Sequence, residues 1–287
     1  MKIKTNKIYD HLNTDAKIVA EQGGTRSGKT YNILLWIIFH YCTQNTGKTI
    51  TISRKTFPAL RSTVMRDFID ILKKAELYQE ANHNKSNSEY YLKGNLVEFI
   101  SLESGQKIRG RKRDLLFINE ANEITYEEWN QLIYRTTGKI ILDYNPSDEY
   151  HFIYDKIINR EDCDFHITTY RDNPFLEKSI VEDIERLQET DEVYWQIYGL
   201  GQRGVSKATI FQFTEADKVP DDAEFLAYGM DFGFNHPNTM VEVYRRDNNL
   251  YAKEMLYRTG MTGADIGQFL KQQELKGYIY CDSARPE

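Results

Sequence analysis

Cysteine is scarce in this chain: three in 287 residues, at Cys42, Cys163 and Cys281. An odd and widely scattered set offers neither a disulfide framework nor the paired spacing of a zinc site, and it fits a reducing compartment. The six histidines show no metal-ligand spacing. No apolar run approaches the ~20 residues that a membrane span needs, and Met1–Asn6 lacks the hydrophobic region of a signal peptide. Basic charge is in deficit, with 37 Lys and Arg against 43 Asp and Glu and a net charge of −6. That balance excludes a wholesale basic coating for nucleic acid, though not a local basic groove. Internal repeats and low-complexity tracts are missing as well.

What remains is an ordinary globular composition, 40% hydrophobic and 28% charged, with material for one large domain or two smaller ones. Segments alternate in the first two-thirds. Strands are predicted over Lys17–Glu21, Thr49–Ser53, Asp114–Ile118, Lys139–Tyr144 and Phe165–Thr169, and helices over Lys29–Tyr41, Pro58–Ala75, Tyr126–Tyr134, Glu149–Asn159 and Ser179–Gln188. Such alternation implies an α/β fold with a mostly parallel sheet covered by helices. Tyr90–Leu92 and Leu96–Leu102 flank Lys93-Gly94-Asn95 and read as an added antiparallel hairpin. Three glycines within Gly199–Gly204 end this region, which sets a first domain at 1–204, a linker at 205–224 and a second domain at 225–287. The second domain reads as strands Phe225–Asp231, Met240–Arg245 and Leu250–Leu256, a helix Gly263–Gln273 and a last strand Tyr278–Asp282.

The strongest motif is Gly23-Gly24-Thr25-Arg26-Ser27-Gly28-Lys29-Thr30, which fits G-x-x-x-x-G-K-[ST] at every fixed position. It lies between an apolar run and a helical pattern, the context a phosphate loop requires. Backbone N–H groups and the helix N-terminus cradle phosphate oxygens there. Lys29 is placed to reach the β- and γ-phosphates, and Thr30 to put its hydroxyl on Mg²⁺. The pattern implies binding of ATP with Mg²⁺.

Hydrolysis needs an acidic partner at a neighbouring strand end, and Leu115–Ile118 leads into Asn119-Glu120. Glu120 is positioned to orient the attacking water. The residue before it would normally be an aspartate holding the metal. Asn119 is a neutral substitute with a weaker pull on the cation. Arg26, inside the loop, reads either as a built-in arginine finger or as a solvent-facing residue. Asn145-Pro146 and Thr136-Thr137-Gly138 bracket the following strand, where polar residues could sense the γ-phosphate or simply form a loop. The basic stretch Lys107, Arg109, Arg111, Lys112 and Arg113 reads equally as a solvated loop or as a phosphate- or DNA-facing patch. Twenty scattered tyrosines decide nothing.

Together, Gly23–Thr30, Arg54-Lys55-Thr56, Ile118-Asn119-Glu120-Ala121-Asn122, Asn145-Pro146, Thr168–Pro174, Gly229-Met230-Asp231-Phe232-Gly233 and Cys281-Asp282-Ser283-Ala284 resemble the large terminase subunits of tailed bacteriophages. The resemblance runs through nearly the whole chain in the right order. It implies a phosphate-loop ATPase that drives viral double-stranded DNA into a preformed capsid, followed by an RNase H-like nuclease that cuts concatemers. On it, Lys29 and Thr30 serve nucleotide and metal, Glu120 hydrolysis and Asn145 coupling. Asp231 and Asp282 take the first two acidic positions of a nuclease using Mg²⁺ or Mn²⁺.

The residues of the second domain agree with this. A two-metal nuclease needs carboxylates converging on cations ~3.5–4 Å apart, and the two aspartates end strands that lie side by side in an RNase H-like sheet. Large terminases extend well past Glu287, so the resemblance also implies an incomplete nuclease half with poor or absent cutting. It further implies a small terminase subunit, a portal protein and a homo-oligomeric, pentameric ring on the procapsid as partners. The setting would be the host-cell cytoplasm rather than the mature virion or a membrane. The rival readings are a helicase-like ATPase without nuclease function and a non-hydrolysing nucleotide-binding scaffold, the latter kept open by Asn119.

Overall fold

The computed structural model describes residues 4–103, 112–148, 150–203, 214, 216–233, 237–247 and 249–281. The chain divides into two compact units, Met1–Thr209 and Ile210–Glu287.

Among the described residues of the first unit, eight strands run in chain order: β1 Ile18–Gly23, β2 Thr49–Arg54, β3 His83–Asn84, β4 Glu89–Leu92, β5 Asn95–Ser101, β6 Leu115–Asn119, β7 Ile140–Tyr144 and β8 Cys163–Thr168. They form one sheet in the order β3-β4-β5-β2-β6-β7-β1-β8. The six strands from β5 to β8 pair in parallel, and β3 and β4 extend the β5 edge antiparallel. Parallel strands covered on both faces carry near-continuous apolar runs, and every residue of β6 and β7 is buried.

Period-two alternation deals these strands onto two cores. Val19, Leu115, Phe117 and Ile141 face helices α1 (Lys7–His11), α2 (Lys29–Trp36) and α3 (Arg66–Lys74). Ile18, Ala20, Leu116, Ile118, Ile140 and Leu142 face the other side, against Trp129 and Leu132 of α4 (Tyr126–Ile133) and against Ile153 and Ile157. By the same parity Glu21, Asn119 and Asp143 fall on the α2 face of the sheet. This step of two carries polar groups into the same layer as a hydrophobic core.

Most predicted elements are present with ends shifted by a residue or two. Three differ more. The α2 helix continues through a wide i→i+5 turn at Ile37–Tyr41 into Cys42–Gln44, and the helix predicted over Pro58–Ala75 runs as Phe57–Leu60, a second such turn at Arg61–Met65 and then α3, so two predicted helices have π-helical middles. The stretch predicted as a helix from Glu149 is helical over Ile153–Ile157, with Glu149 outside the described residues. The sequence pattern also missed α1, whose five residues are too few to show a period; Asn6 caps it by accepting from the Ile8 N–H.

The described residues of the second unit form a four-stranded sheet: β9 Glu224–Asp231, β10 Asn238–Arg246, β11 Asn249–Arg258 and β12 Ile279–Cys281, in the order β11-β10-β9-β12. The first three are antiparallel, and β12 joins β9 in parallel after helix α5 (Gly263–Gln272). First and fourth strands are therefore neighbours, the order expected at the start of an RNase H-like sheet. Its core gathers Tyr228, Met230, Met240, Leu256, Met261 and Ile266.

Phe68 tests the first core. It is fully buried and meets Tyr90 and Phe99 edge-on, with ring centroids 6.0 and 5.4 Å away. Phe68→Ala is expected to lower the stability of the first unit by ~3–5 kcal/mol, read as a shifted urea midpoint. Tyr134→Ala, at a side chain 79% exposed, should stay within about 0.5 kcal/mol.

Candidate active site

β1 ends at Gly23 and α2 begins at Lys29, so the phosphate-loop motif is the strand-to-helix turn itself. Gly28 stands at φ 85° as the cap before α2, a left-handed conformation that glycine takes without a Cβ penalty. Gly24 is required for space, because a Cβ there would meet the Tyr198 carbonyl oxygen at 2.3 Å. The loop is further held by Gly24 N–H donating to Thr168 O (3.0 Å) and Thr25 N–H donating to Tyr198 O (2.8 Å). Asn6 Nδ2 donates to Ser27 O (2.9 Å), and Asn173 Nδ2 donates to Arg26 O (2.8 Å). The N–H groups of the first turn of α2 have no intrahelical acceptors and open toward the loop.

The Lys29 ammonium is buried and turned back onto its own loop. It donates to Gly23 O (3.0 Å) and Gly24 O (2.9 Å), and also to Asn145 Oδ1 (3.0 Å) at the end of β7. Burial draws its pKa below the usual lysine value, while the carboxylates of Asp143, Glu120 and Glu21 oppose that. Weak neutral acceptors of this kind are readily exchanged for phosphate oxygens.

Facing the loop, β6 and β7 bring Asn119 and Asp143 into register. Asp143 is buried and accepts from the Thr30 hydroxyl (2.5 Å), from Asn119 Nδ2 (2.9 and 3.2 Å) and from the Glu120 N–H (3.0 Å). Burial raises its pKa against the pull of Thr30 and Lys29. Asn119 Nδ2 also lies 3.2 Å from Thr30 Oγ1, and Asn119 Oδ1 is buried with no hydrogen-bond partner. Glu120 follows at φ 53°, a left-handed turn that is uncommon for a residue with a side chain and is characteristic of functional positions. Burial first, and then the Asp143 carboxylate, pushes Glu120 up to about 7, against the attraction of Lys29 and Arg54. Arg54, from the end of β2, is held by Glu123 through two hydrogen bonds of 3.0 and 3.3 Å.

Thus Lys29, Thr30, Asn119, Glu120 and Asn145, predicted from separate motifs, meet at one sheet end. Arg26 lies exposed on the loop at φ 60°. Asp143 and Arg54 were missed as site residues. The signal for Asp143 was a lone carboxylate in an otherwise apolar, fully buried strand, a placement rare enough to ask for a partner. Of the basic stretch, Lys107, Arg109 and Arg111 lie outside the described residues, Lys112 is exposed, and Arg113 is 1% exposed, unlike a solvated or DNA-facing side chain. The histidines require a correction too. Although their sequence spacing shows no metal pattern, the fold brings the ligand atoms of His11, Glu21 and His166 within 4.8 Å of one another. Register does this, since β1 and β8 pair Glu21 with His166 and α1 lays His11 over both. His11 Nδ1 lies 2.8 Å from Glu21 Oε1.

In the second unit Asp231 ends β9 and is exposed, and Cys281 pairs with Met230. Asp282, the other predicted nuclease carboxylate, lies outside the described residues.

The family of phage terminase large subunits matches residues 15–202, about two-thirds of the chain, including every residue of the loop site. The chain belongs to this family. The large terminase subunit of Bacillus phage SPP1 is 23% identical over 315 residues, covering 99% of this chain and 73% of that protein. The PBSX phage terminase large subunit of Bacillus subtilis (strain 168) is 24% identical over 308 residues, covering 92% and 70%. Among solved structures, the large terminase of a thermophilic bacteriophage superposes with a TM-score of 0.60 at 20% identity, covering 98% of this chain and 78% of that one. The same phage's large terminase in complex with ADP gives 0.59 at 19%, covering 97% and 76%. The ATPase domain of the Thermus phage P74-26 large terminase gives 0.54 at 13%, covering 70% of this chain and 94% of that one. These structural likenesses show a shared fold, with a phosphate-loop α/β domain in the first unit. Among the described residues, no helix is long and apolar enough to cross a membrane.

Gly24→Ala tests the tightness of the terminase loop. Its Cβ would collide with backbone, so the variant is expected to lose ~1–3 kcal/mol, seen as a lower melting temperature. Gly267→Ala, inside α5 with nothing within 4 Å of the new methyl, should be neutral or stabilising by up to ~1 kcal/mol.

Proposed function

We propose that this terminase chain is an ATP-driven motor subunit that moves viral double-stranded DNA into procapsids, with a metal-dependent endonuclease activity seated in its second unit. The observation that carries this reading is the convergence of Lys29 and Thr30 with Asn119, Glu120 and Asn145 at one sheet end, in a chain of this family.

In this reading the loop Gly23–Thr30 holds the triphosphate and Lys29 exchanges its loop carbonyls for phosphate oxygens. Glu120 orients the attacking water; its raised pKa makes it a better proton acceptor than an exposed carboxylate. The side-chain oxygens of Thr30 and Asn119 suit Mg²⁺, a cation that takes hard oxygen donors, and the unpartnered Asn119 Oδ1 fits that use. Bound there, Mg²⁺ would neutralise charge developing on the phosphates. Asn145 touches Lys29 directly, so replacement of that contact by phosphate changes what Asn145 bonds, and this supports a coupling role. Arg26, exposed on the loop, is free to serve a neighbouring site in an assembled ring or to face solvent.

Asp231 and Asp282 are the candidate nuclease carboxylates, with Mg²⁺ or Mn²⁺ as the cation. Double-stranded viral DNA, the small terminase subunit and the portal protein are the partners that the proposal carries, with a homo-oligomeric ring on the procapsid in the host cytoplasm. The mixed β9–β12 sheet does not resemble a second ATPase-like half, which weighs against a helicase-like reading. The scaffold reading requires a site that does not turn over.

ATP turnover with and without double-stranded DNA decides among these. Lys29→Ala should abolish turnover, and Glu120→Gln should lower kcat by at least ~100-fold with nucleotide still bound. Stimulation by DNA supports a motor, whereas parent and Glu120→Gln turning over alike would defeat the catalytic assignment. For the second unit, Mn²⁺-dependent nicking of plasmid DNA that disappears in Asp231→Ala would show a working nuclease there, against the poor or absent cutting that the resemblance implies. Nicking unchanged by that substitution would reject that site.

A further inference from the structure

The aspartate expected before Glu120 is missing in this chain, and its place holds Asn119. We infer that the carboxylate has moved one strand over: Asp143 on β7 is the acidic partner of the nucleotide-bound cation. The inference rests on the ATPase reading above and specifies its metal shell.

Three observations place Asp143 in that role. First, the Thr30 hydroxyl donates to Asp143 Oδ2 at 2.5 Å. A hydroxyl whose proton is committed to a carboxylate turns its lone pairs away from that carboxylate, and a serine or threonine at this motif position offers such a lone pair to Mg²⁺. Second, Asp143 stands beside Asn119 in parallel register, so its carboxylate reaches the same point in space from the adjacent strand. Asn119 Nδ2 bonds both Asp143 oxygens, at 2.9 and 3.2 Å. The pair keeps one amide and one carboxylate, with their strands exchanged relative to the expected pattern. Third, Asp143 is 1% exposed, in a strand where every other residue is apolar or aromatic. A charge buried so deeply is retained where cations meet it, and the Lys29 ammonium is one cation near it.

The exchange also explains why Asn119 is neutral. A carboxylate at position 119 would sit about where the Asn119 amide now touches Asp143, and two carboxylates at that separation repel unless a proton or a metal lies between them. Asn119 supplies a donor to Asp143 in place of that repulsion. Asp143 is therefore the acidic residue of the metal shell, and Asn119 both turns its Oδ1 to that shell and positions the Asp143 carboxylate through Nδ2.

Mn²⁺ is the probe, because its free ion gives an EPR signal that falls on binding. Titrations with ADP present compare the parent, Asp143→Asn, Asn119→Asp and the double exchange Asn119→Asp/Asp143→Asn, with ADP affinity in EDTA measured alongside. Asp143→Asn is expected to weaken Mn²⁺ binding at least tenfold while metal-free ADP affinity stays within threefold. The double exchange restores Mn²⁺ affinity to within about threefold of the parent, since it keeps one amide and one carboxylate facing Thr30. Asn119→Asp alone should bind Mn²⁺ no better than the parent.

Undiminished Mn²⁺ affinity in a folded Asp143→Asn variant would overturn the assignment. Should that variant not fold, a folded double exchange that fails to bind Mn²⁺ overturns it equally, and one that binds supports it. A parent that binds ADP in neither condition removes the ATPase reading and this assignment with it, an outcome distinct from normal ADP binding with unchanged Mn²⁺ affinity.

Discussion

A single buried carboxylate organises the loop end of the first unit. Asp143 accepts hydrogen bonds from the Thr30 hydroxyl, the Asn119 amide and the Glu120 backbone, and so ties the start of α2 to the ends of two parallel strands. Two of those contacts set the approach of the helix and the strand, and the third fixes the left-handed turn that presents Glu120. Remove the charge and three donors lose a shared acceptor that is itself 1% exposed, a loss larger than that of any one hydrogen bond. Glu120 in turn owes part of its raised pKa to the same carboxylate. The chemistry and the architecture of this terminase therefore rest on the same atoms.

Much of this was legible in the chain. The phosphate loop carries its own spacing, and the apolar runs of β6 and β7 announce strands buried on both faces. The hairpin at Lys93-Gly94-Asn95 was visible because the residues around it alternate, and the structure adds that β5 also pairs in parallel with β2. What could not be read was juxtaposition across strands. Nothing in Ile140-Ile141-Leu142-Asp143-Tyr144 says which neighbour it will have; register with Asn119 and Glu21 emerges once β7 settles between β6 and β1. His11, Glu21 and His166 make the same point, since residues far apart in sequence become one cluster through β1–β8 pairing and a helix too short to leave a periodic trace.

The two ends of the chain differ in how they hold their acidic groups. In the first unit Asp143 and Glu120 are sunk among hydrogen-bond donors and apolar side chains, and burial raises the pKa of both. In the second, Asp231 stands exposed at the end of β9, on a smaller sheet whose core gathers around Tyr228, Met230 and Met240. A fixed, desolvated site suits repeated hydrolysis of one small substrate, which must be oriented the same way each time.

Glycine at positions 23, 24 and 201 lets three stretches of backbone touch without side chains between them. A Cβ on Gly201 would strike Gly23 and Gly24 at 2.8 Å, and the Gly201 carbonyl also accepts from Gln22 Nε2 at 2.8 Å. Gly201 lies near the C-terminal limit of the first unit, where the polypeptide runs on toward the second. The phosphate loop is thus packed backbone to backbone against Gly201, with no side chain between them. A side chain at any of the three would have to part whole peptide units rather than turn aside, so this seam of bare backbone is closed to every residue but glycine.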